Sequence, residues 1–237
     1  MLLGLAVAAC GVSHHPASGQ APRSAGGNRL IQIAGIGITG ATYYHWMAIG
    51  AATVEMPRPG TALPRPITYK PPAFTACVDR YLEHMPKSTP LGPLRAECKL
   101  TYESIQARIL SFLITGYWLR SEANARHIHI TSAEVHMRFE EERRAHYPSL
   151  GSFRRLQEAS HQTISDLEFA TETQILSTRL FERFVKEHRH FLSEEAAVRA
   201  FNNNIKSKWI TRTSCEPGYI VPDCKQYKPP VKAKAGR

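Results

Sequence analysis

The five cysteines are the residues of this chain whose chemistry depends most on their spacing. Cys10 lies near the N-terminus, and Cys77, Cys98, Cys215 and Cys224 form two pairs that are each local in sequence. Four cysteines allow three disulfide pairings, and the pairing of Cys77 with Cys98 and of Cys215 with Cys224 closes the shortest loops. A zinc site is the alternative, but no CxxC pair is present and these spacings do not fit a zinc ribbon or finger. The sequence therefore predicts two disulfides.

Cys10 ends an apolar N-terminal run that reads MLLGLAVAA. The stretch Val7-Ala8-Ala9-Cys10 is typical of a lipobox, in which a lipoprotein signal peptidase cuts just before a cysteine that is lipidated. The run is too short to span a bilayer, which needs about 20 residues. A diacylglyceryl group, with or without a palmitate on the amine, gives stable anchoring because two acyl chains suffice where one does not.

We therefore predict a signal peptide over 1–9, a tether rich in Ser, Gly, Pro and Ala over 10–29, and a lipid-anchored protein on the extracytoplasmic face of the cell membrane. No Lys or Arg precedes the apolar run, whereas a signal peptide normally begins with positive charge. We expect the true translation start to lie upstream of Met1.

The composition is basic, with 30 Lys and Arg against 20 Asp and Glu and a net charge of +10. Such a surface favours acidic partners: nucleic acid, anionic lipid headgroups or anionic polymers of the cell wall. Because an exported protein rarely meets nucleic acid, we expect none as a partner.

The histidines and glutamates could support catalysis or metal binding, but they do not occur at the spacing that such sites need. His127 and His129 are predicted on one face of a solvated strand, and His188 and His190 are two apart, which on a helix points them away from each other. The run Glu140–Arg144 is typical of a solvated helix face. No GxSxG, HExxH, Walker A or GxGxxG motif occurs. We therefore predict no catalytic residue, no metal and no cofactor.

The periodicity of apolar residues predicts an all-α fold with one or two short strands. A strand with a tight turn at Gly35 and Gly37 is predicted within 30–38, before a helix capped by Thr39 or Thr42. A proline-rich connector over 55–72 interrupts a helical domain over 30–212, and a disulfide loop with a basic tail follows over 213–237. In the first half of the chain we further predict a helix over Phe74–His84 and a core helix over Leu94–Ala125, whose apolar face runs from Leu100 and Ile105 to Leu119. A strand over 127–130 follows, and then a helix that is opened by the capping box Thr131–Glu134 and ends near Ala145. The last predicted elements are a short helix over Phe153–Ala159, a long helix from Thr163 to about His188, and a helix capped by Ser193.

The order of these segments resembles the N-terminal chaperone domain of SurA/PrsA-type foldases. IQIAGIGITGATYYHWM is similar to the start of such domains, with a strand, a tight turn and a helix that carries aromatic residues up to Trp46. The segment from HIHITSAEV to RLFERF resembles their central helical unit, and the closing FNNNIKSKWITRTSCEPGYIVPDCKQYK is similar to the end of actinobacterial members. The resemblance covers about 30–228, and the matching positions of the central unit are Thr131, Glu134, Val135, Phe139, Phe153, Leu156, Thr163, Asp166 and Leu167.

One departure limits what the resemblance implies. Foldases of this family usually carry a parvulin prolyl-isomerase domain before the last helix, whereas here His188–Phe191 leads directly into that helix. The resemblance therefore implies the chaperone half alone, which would bind unfolded or nascent exported polypeptides. The aromatic residues Tyr43, Trp46, Tyr117 and Trp118 are the candidates for a client-binding cradle. Two alternatives stay open: a prolyl isomerase of divergent type, and a non-enzymatic envelope adaptor whose basic surface binds anionic polymers.

Overall fold

A computed structural model describes residues 28–54, 67–86, 88–188 and 191–229. The predictions for Cys10, for the signal peptide, for most of the tether, for 55–66 of the connector, for His190 and for the tail beyond 229 lie outside the described residues. The described chain contains seven helices and a small antiparallel sheet, so it is mostly helical, as predicted. The elements are β1 (Arg29–Ile33), β2 (Ile36–Thr39), α1 (Gly40–Val54), α2 (Thr75–Leu82), α3 (Leu91–Ala125), α4 (Ser132–His146), α5 (Leu150–Ser160), α6 (Ile164–Glu187), α7 (Glu194–Ile210) and β3 (Thr213–Cys215).

The sheet joins the two ends of the described chain. Its strand order is β2-β1-β3, with β1 antiparallel to both neighbours. A tight turn at Ala34 and Gly35 connects β1 to β2, and both residues have positive φ, of 45° and 92°. This is the backbone that a two-residue hairpin needs to match the strand twist. Gly37, which the sequence also assigned to the turn, lies in β2, where the side chain of Arg29 occupies the space that a Cβ would fill.

The prediction of a strand over 127–130 is wrong. Residues 128–130 are irregular, and His127 adopts left-handed backbone with φ of 55°. The amide of Ile128 donates to the carbonyl of Ala123 (2.9 Å) and that of His127 to Asn124 (3.2 Å). These two bonds form a Schellman motif that ends α3. The alternation of His and Ile therefore follows from the packing of a helix end, and the third strand, β3, lies at the far end of the chain.

The helix starts follow local capping chemistry. The side chains of Thr39, Thr131, Thr163 and Ser193 each accept a hydrogen bond from a backbone amide three residues on. At Thr163 the bond is reciprocated by Asp166, which completes a capping box. Helix α3 begins three residues earlier than predicted, because Pro93 falls within its first turn, where proline is tolerated.

Two hydrophobic clusters hold the elements together. In the main cluster the sheet, α1, α6 and α7 pack around α3. The C-terminal loop contributes Val221 and Cys224 to this cluster. Close approach of α6 to α3 depends on Gly116, because a Cβ there would lie 2.8 Å from the ring of Phe169. The smaller cluster lies between α2 and the start of α3 and consists of Phe74, Cys77, Val78, Leu94 and Cys98.

Both predicted disulfides are confirmed. Cys77 is bonded to Cys98 and Cys215 to Cys224. The first bond joins α2 to α3 inside the small cluster, and the second joins β3 to the C-terminal loop beside the main cluster. In the chain-entropy account, loops of these lengths correspond to about 3.4 and about 2.7 kcal/mol of stabilisation.

A buried carboxylate ties α3 to α7. The side chain of Glu122 has no solvent exposure and accepts hydrogen bonds from Lys208 Nζ (2.7 Å), Arg126 Nε (2.6 Å) and Trp209 Nε1 (2.9 Å). Burial alone would raise the pKa of this carboxyl, but the bonds from these three donors outweigh burial and hold the pKa of Glu122 below its ordinary value. Arg126 also pairs with Glu187 at 2.8 Å, which extends the network to α6.

Replacing both Cys77 and Cys98 by alanine is expected to release α2 while the main cluster stays folded, because the small cluster then keeps only Phe74, Val78 and Leu94 of its buried residues and loses its covalent bond. Hydrogen exchange by mass spectrometry should show faster exchange across α2 and unchanged exchange across α6. The matched Cys215→Ala, Cys224→Ala variant should instead lower the global free energy of unfolding by about 3 kcal/mol. Unchanged exchange of α2 in the first variant would contradict the local role of its disulfide.

The substitution Glu122→Gln is expected to lower the free energy of unfolding by about 3 kcal/mol at pH 7, because it leaves buried donors without a charged partner. The matched control Glu141→Gln breaks an exposed pair with Arg138 and should change the free energy of unfolding by less than about 0.5 kcal/mol. Since the folded-state pKa of Glu122 is depressed, its contribution is present above the unfolded pKa of about 4.3 and is lost as pH falls through the folded pKa. The two unfolding curves, measured by circular dichroism in guanidinium, should therefore approach each other as pH falls below about 4.3 and converge below the folded pKa; a difference that is constant with pH would contradict this.

Candidate functional site

The aromatic residues predicted to form a client-binding cradle are mostly in the core. Tyr43, Trp46 and Trp118 are 0%, 7% and 2% exposed, and Tyr117 is half-buried. The ring of Trp46 packs 5.0 Å from that of Phe112 on α3. Because such side chains pack against other elements, they do not form an open surface in this structure. The sequence could not distinguish these two roles, since core and binding aromatics share the same spacing on a helix.

The hydroxyl of Tyr43 is held in a buried polar cluster. It lies 3.1 Å from the hydroxyl of Tyr102 and accepts a hydrogen bond from Gln106 Nε2 (2.9 Å), which also donates to the carbonyl of Gly218 (3.3 Å). Burial, then the neighbouring Tyr102, raises the pKa of Tyr43 far above its ordinary value. The hydroxyl is thus satisfied as a structural link between α1, α3 and the C-terminal loop.

Two histidines form pairs with carboxylates on α6. His45 Nε2 lies 2.9 Å from Asp166, and His136 Nδ1 lies 2.9 Å from Glu168. These pairs join α1 and α4 to the first turns of α6. Within the described ranges, no group of three or more His, Cys, Asp or Glu side chains is arranged to hold a metal ion.

A shallow, open groove of about 400 Å³ runs along the first half of α3, and all six of its lining residues belong to that helix. The side chain of Ile105 is fully buried beneath it, and Leu100 is 61% exposed at its side. Its other lining residues are polar or charged: Glu97, Thr101, Ser104 and Arg108. From Glu97 to Arg108 the helix rises about 16 Å, which matches about five residues of extended polypeptide. An extended chain laid there would meet an apolar contact together with hydroxyl, carboxylate and guanidinium groups.

Two neighbouring helices fix this part of α3. Helix α2 is bonded to α3 at Cys98, and α1 crosses α3 at Gly50, where a Cβ would lie 2.8 Å from the Ile105 side chain.

The sequence placed Leu100 on the apolar core face of α3. This prediction is wrong, because Leu100 is exposed to solvent in the structure. Helices α2 and α1 contact α3 at Cys98 and Ile105, and neither covers Leu100. Exposure of a single leucine on an amphipathic helix leaves no signal in the sequence.

No protein-family model matches this chain, and neither a curated protein nor a solved structure matches it. The resemblance to SurA/PrsA-type foldases therefore stays a prediction that depends on the sequence segments quoted for it. Of the helices in the described segments, none combines the length and the apolar composition that crossing a bilayer requires.

The burial of the aromatic residues predicts weak quenching of tryptophan fluorescence by iodide. The chain has three tryptophans, and Trp46, Trp118 and Trp209 are all under one-tenth exposed. Iodide should quench the folded protein several-fold less than the protein unfolded in guanidinium, which serves as the fully accessible control. Equal quenching of the two states would restore Trp46 and Trp118 as surface residues.

Proposed function

We propose that this protein holds unfolded segments of exported polypeptides while anchored to the extracytoplasmic face of the cell membrane, as a chaperone module without isomerase chemistry. The observation that carries the proposal is the open groove along α3, in which the exposed Leu100 lies among polar side chains above the buried Ile105.

The composition of the groove suits a ligand without fixed sequence. An unfolded segment offers apolar side chains together with backbone amides and carbonyls that lack partners. Leu100 provides apolar contact, and the hydroxyl of Ser104 can donate to a carbonyl and accept from an amide. The hydroxyl of Thr101 donates to the carbonyl of Glu97 (3.1 Å) and can still accept from an amide. Glu97 and Arg108 add one acceptor and one donor, of opposite charge. None of these contacts requires a particular residue in the ligand, and none performs covalent chemistry.

The two disulfides support the compartment. Bonds of this kind form and persist in oxidising environments, including the space outside the cytoplasmic membrane. The lipobox at Cys10 and the resemblance to SurA/PrsA-type foldases are consistent with the same location. An envelope adaptor that binds anionic polymers shares these features but gives no role to an apolar contact in the groove.

The test is suppression of aggregation, followed by light scattering, for a denatured client whose folding does not depend on proline isomerisation. The oxidised protein should suppress scattering at near-stoichiometric ratio, and 0.5 M salt should have little effect, because the main contact is apolar. Leu100→Gln should weaken suppression about tenfold, as expected for the loss of one well-buried leucine contact.

Leu150 provides the matched control, because it is 63% exposed on α5, outside the groove lining, and Leu150→Gln should leave suppression unchanged. Both leucines are exposed, so both variants should keep the thermal stability of the parent. Absence of suppression by the parent protein would reject the chaperone proposal in favour of the adaptor. Equal losses in the two variants would reject the groove as the binding site.

A further inference from the structure

The sheet brings the two ends of the described chain to one place. In β1, Ile31 lies opposite Cys215 of β3, and the amide of Glu216 donates to the carbonyl of Leu30 at 2.8 Å. The side chain of Gln226 in turn bonds both the amide and the carbonyl of Cys215. The chain therefore enters at Asn28, three residues before Ile31, and passes Pro229, three residues after Gln226, at the same sheet.

Basic side chains at this sheet lack acidic partners. Arg29, Arg212, Lys225 and Lys228 are exposed, and none of them forms an ion pair with another residue of the described segments. Glu216 is the one exposed carboxylate among the described residues from 211 onward. We name these four side chains the basic sheet end.

Several carboxylates elsewhere in the described fold are paired with basic side chains. Asp223, in the loop beside the sheet, accepts a hydrogen bond from Lys206 Nζ and another from Ser111 Oγ, both at 2.7 Å. On the helices, several arginines pair with glutamates of the same or a neighbouring helix, namely Arg120, Arg126, Arg138, Arg143, Arg179 and Arg183. Residues 28–54 contain no acidic side chain, so within the two segments that form the sheet only Glu216 offsets the charge of the basic sheet end.

The chain that leads to this sheet comes from Cys10. Whatever its path, the segment from Cys10 to Asn28 cannot span more than about 65 Å. If Cys10 is lipidated, as the proposed function has it, the sheet is the part of the described fold that lies closest to the anchor along the chain. The sequence after Pro229 contains three further basic residues, Lys232, Lys234 and Arg237.

We propose that the basic sheet end binds the anionic lipid headgroups of the membrane to which the protein is anchored. This inference rests on the anchoring that the proposed function includes. Lipid phosphates are the anionic groups that the anchor places nearest to the sheet, which favours them over wall polymers that lie farther out. Each lysine or arginine at an anionic surface strengthens binding by about fivefold, and the contribution decays within a Debye length. The contact would orient the whole fold on the membrane.

The experiment is co-sedimentation of the full chain with vesicles, using Cys10→Ser so that no acyl group contributes. Vesicles of phosphatidylglycerol and phosphatidylcholine should bind the protein at 0.1 M salt and release it at 0.5 M, whereas vesicles of phosphatidylcholine alone should not bind it. The variant Arg212→Gln, Lys225→Gln, Lys228→Gln should bind about a hundredfold more weakly.

The matched control is Arg95→Gln, Arg154→Gln, Arg199→Gln, which removes the same charge from exposed helix positions and should lose less than about threefold. Equal losses in the two triple variants would show a net-charge effect and overturn the assignment. Binding to soluble poly(glycerol phosphate) without binding to anionic vesicles would assign the surface to a wall polymer instead. The aggregation assay contains no membrane and the vesicle assay no client, so failure of one proposal is separable from failure of the other.

Discussion

Helix α3 is the constraint on which the rest of the fold depends, because both hydrophobic clusters are built against it. Its 35 residues extend about 52 Å. Cys98 holds α2 near one end, Gly116 admits α6 in the second half, and Glu122 binds α7 at the far end. Trp118, between the last two, donates from Nε1 to Thr213 of β3 at 2.7 Å. Because α2, α6, α7 and β3 all contact α3, we expect this helix to be rigid. The groove on its first half should therefore keep its shape.

The features that the sequence predicted are those set by local chemistry. The caps at Thr131, Thr163 and Ser193 depend on residues three positions apart, so helix starts could be placed within a few residues. The disulfide pairing followed from loop length, and it is the strongest agreement between sequence and structure. In each case the deciding interaction lies within a short stretch of chain.

The features that the sequence missed depend on contacts between distant segments. Strand β3 exists because β1 pairs with it from the opposite end of the chain, and three residues carry too little pattern to show this. The strand predicted at 127–130 had the pattern but no partner. Tyr43 and Trp118 are buried and Leu100 is exposed. The difference depends on which other elements pack against each position, and these elements are distant in sequence. The candidate site therefore depends on how the helices pack, which the sequence does not show.

The pairing of Gln226 with Cys215 has a consequence for how this protein can coexist with unfolded chains. A strand at the margin of a sheet offers unpaired amides and carbonyls that can recruit any extended polypeptide. At β3 the carboxamide of Gln226 occupies the amide and the carbonyl of Cys215, as a neighbouring strand would. The sheet is thus closed at this margin to uncontrolled addition of strands. This margin therefore does not offer a template on which extended polypeptides could assemble.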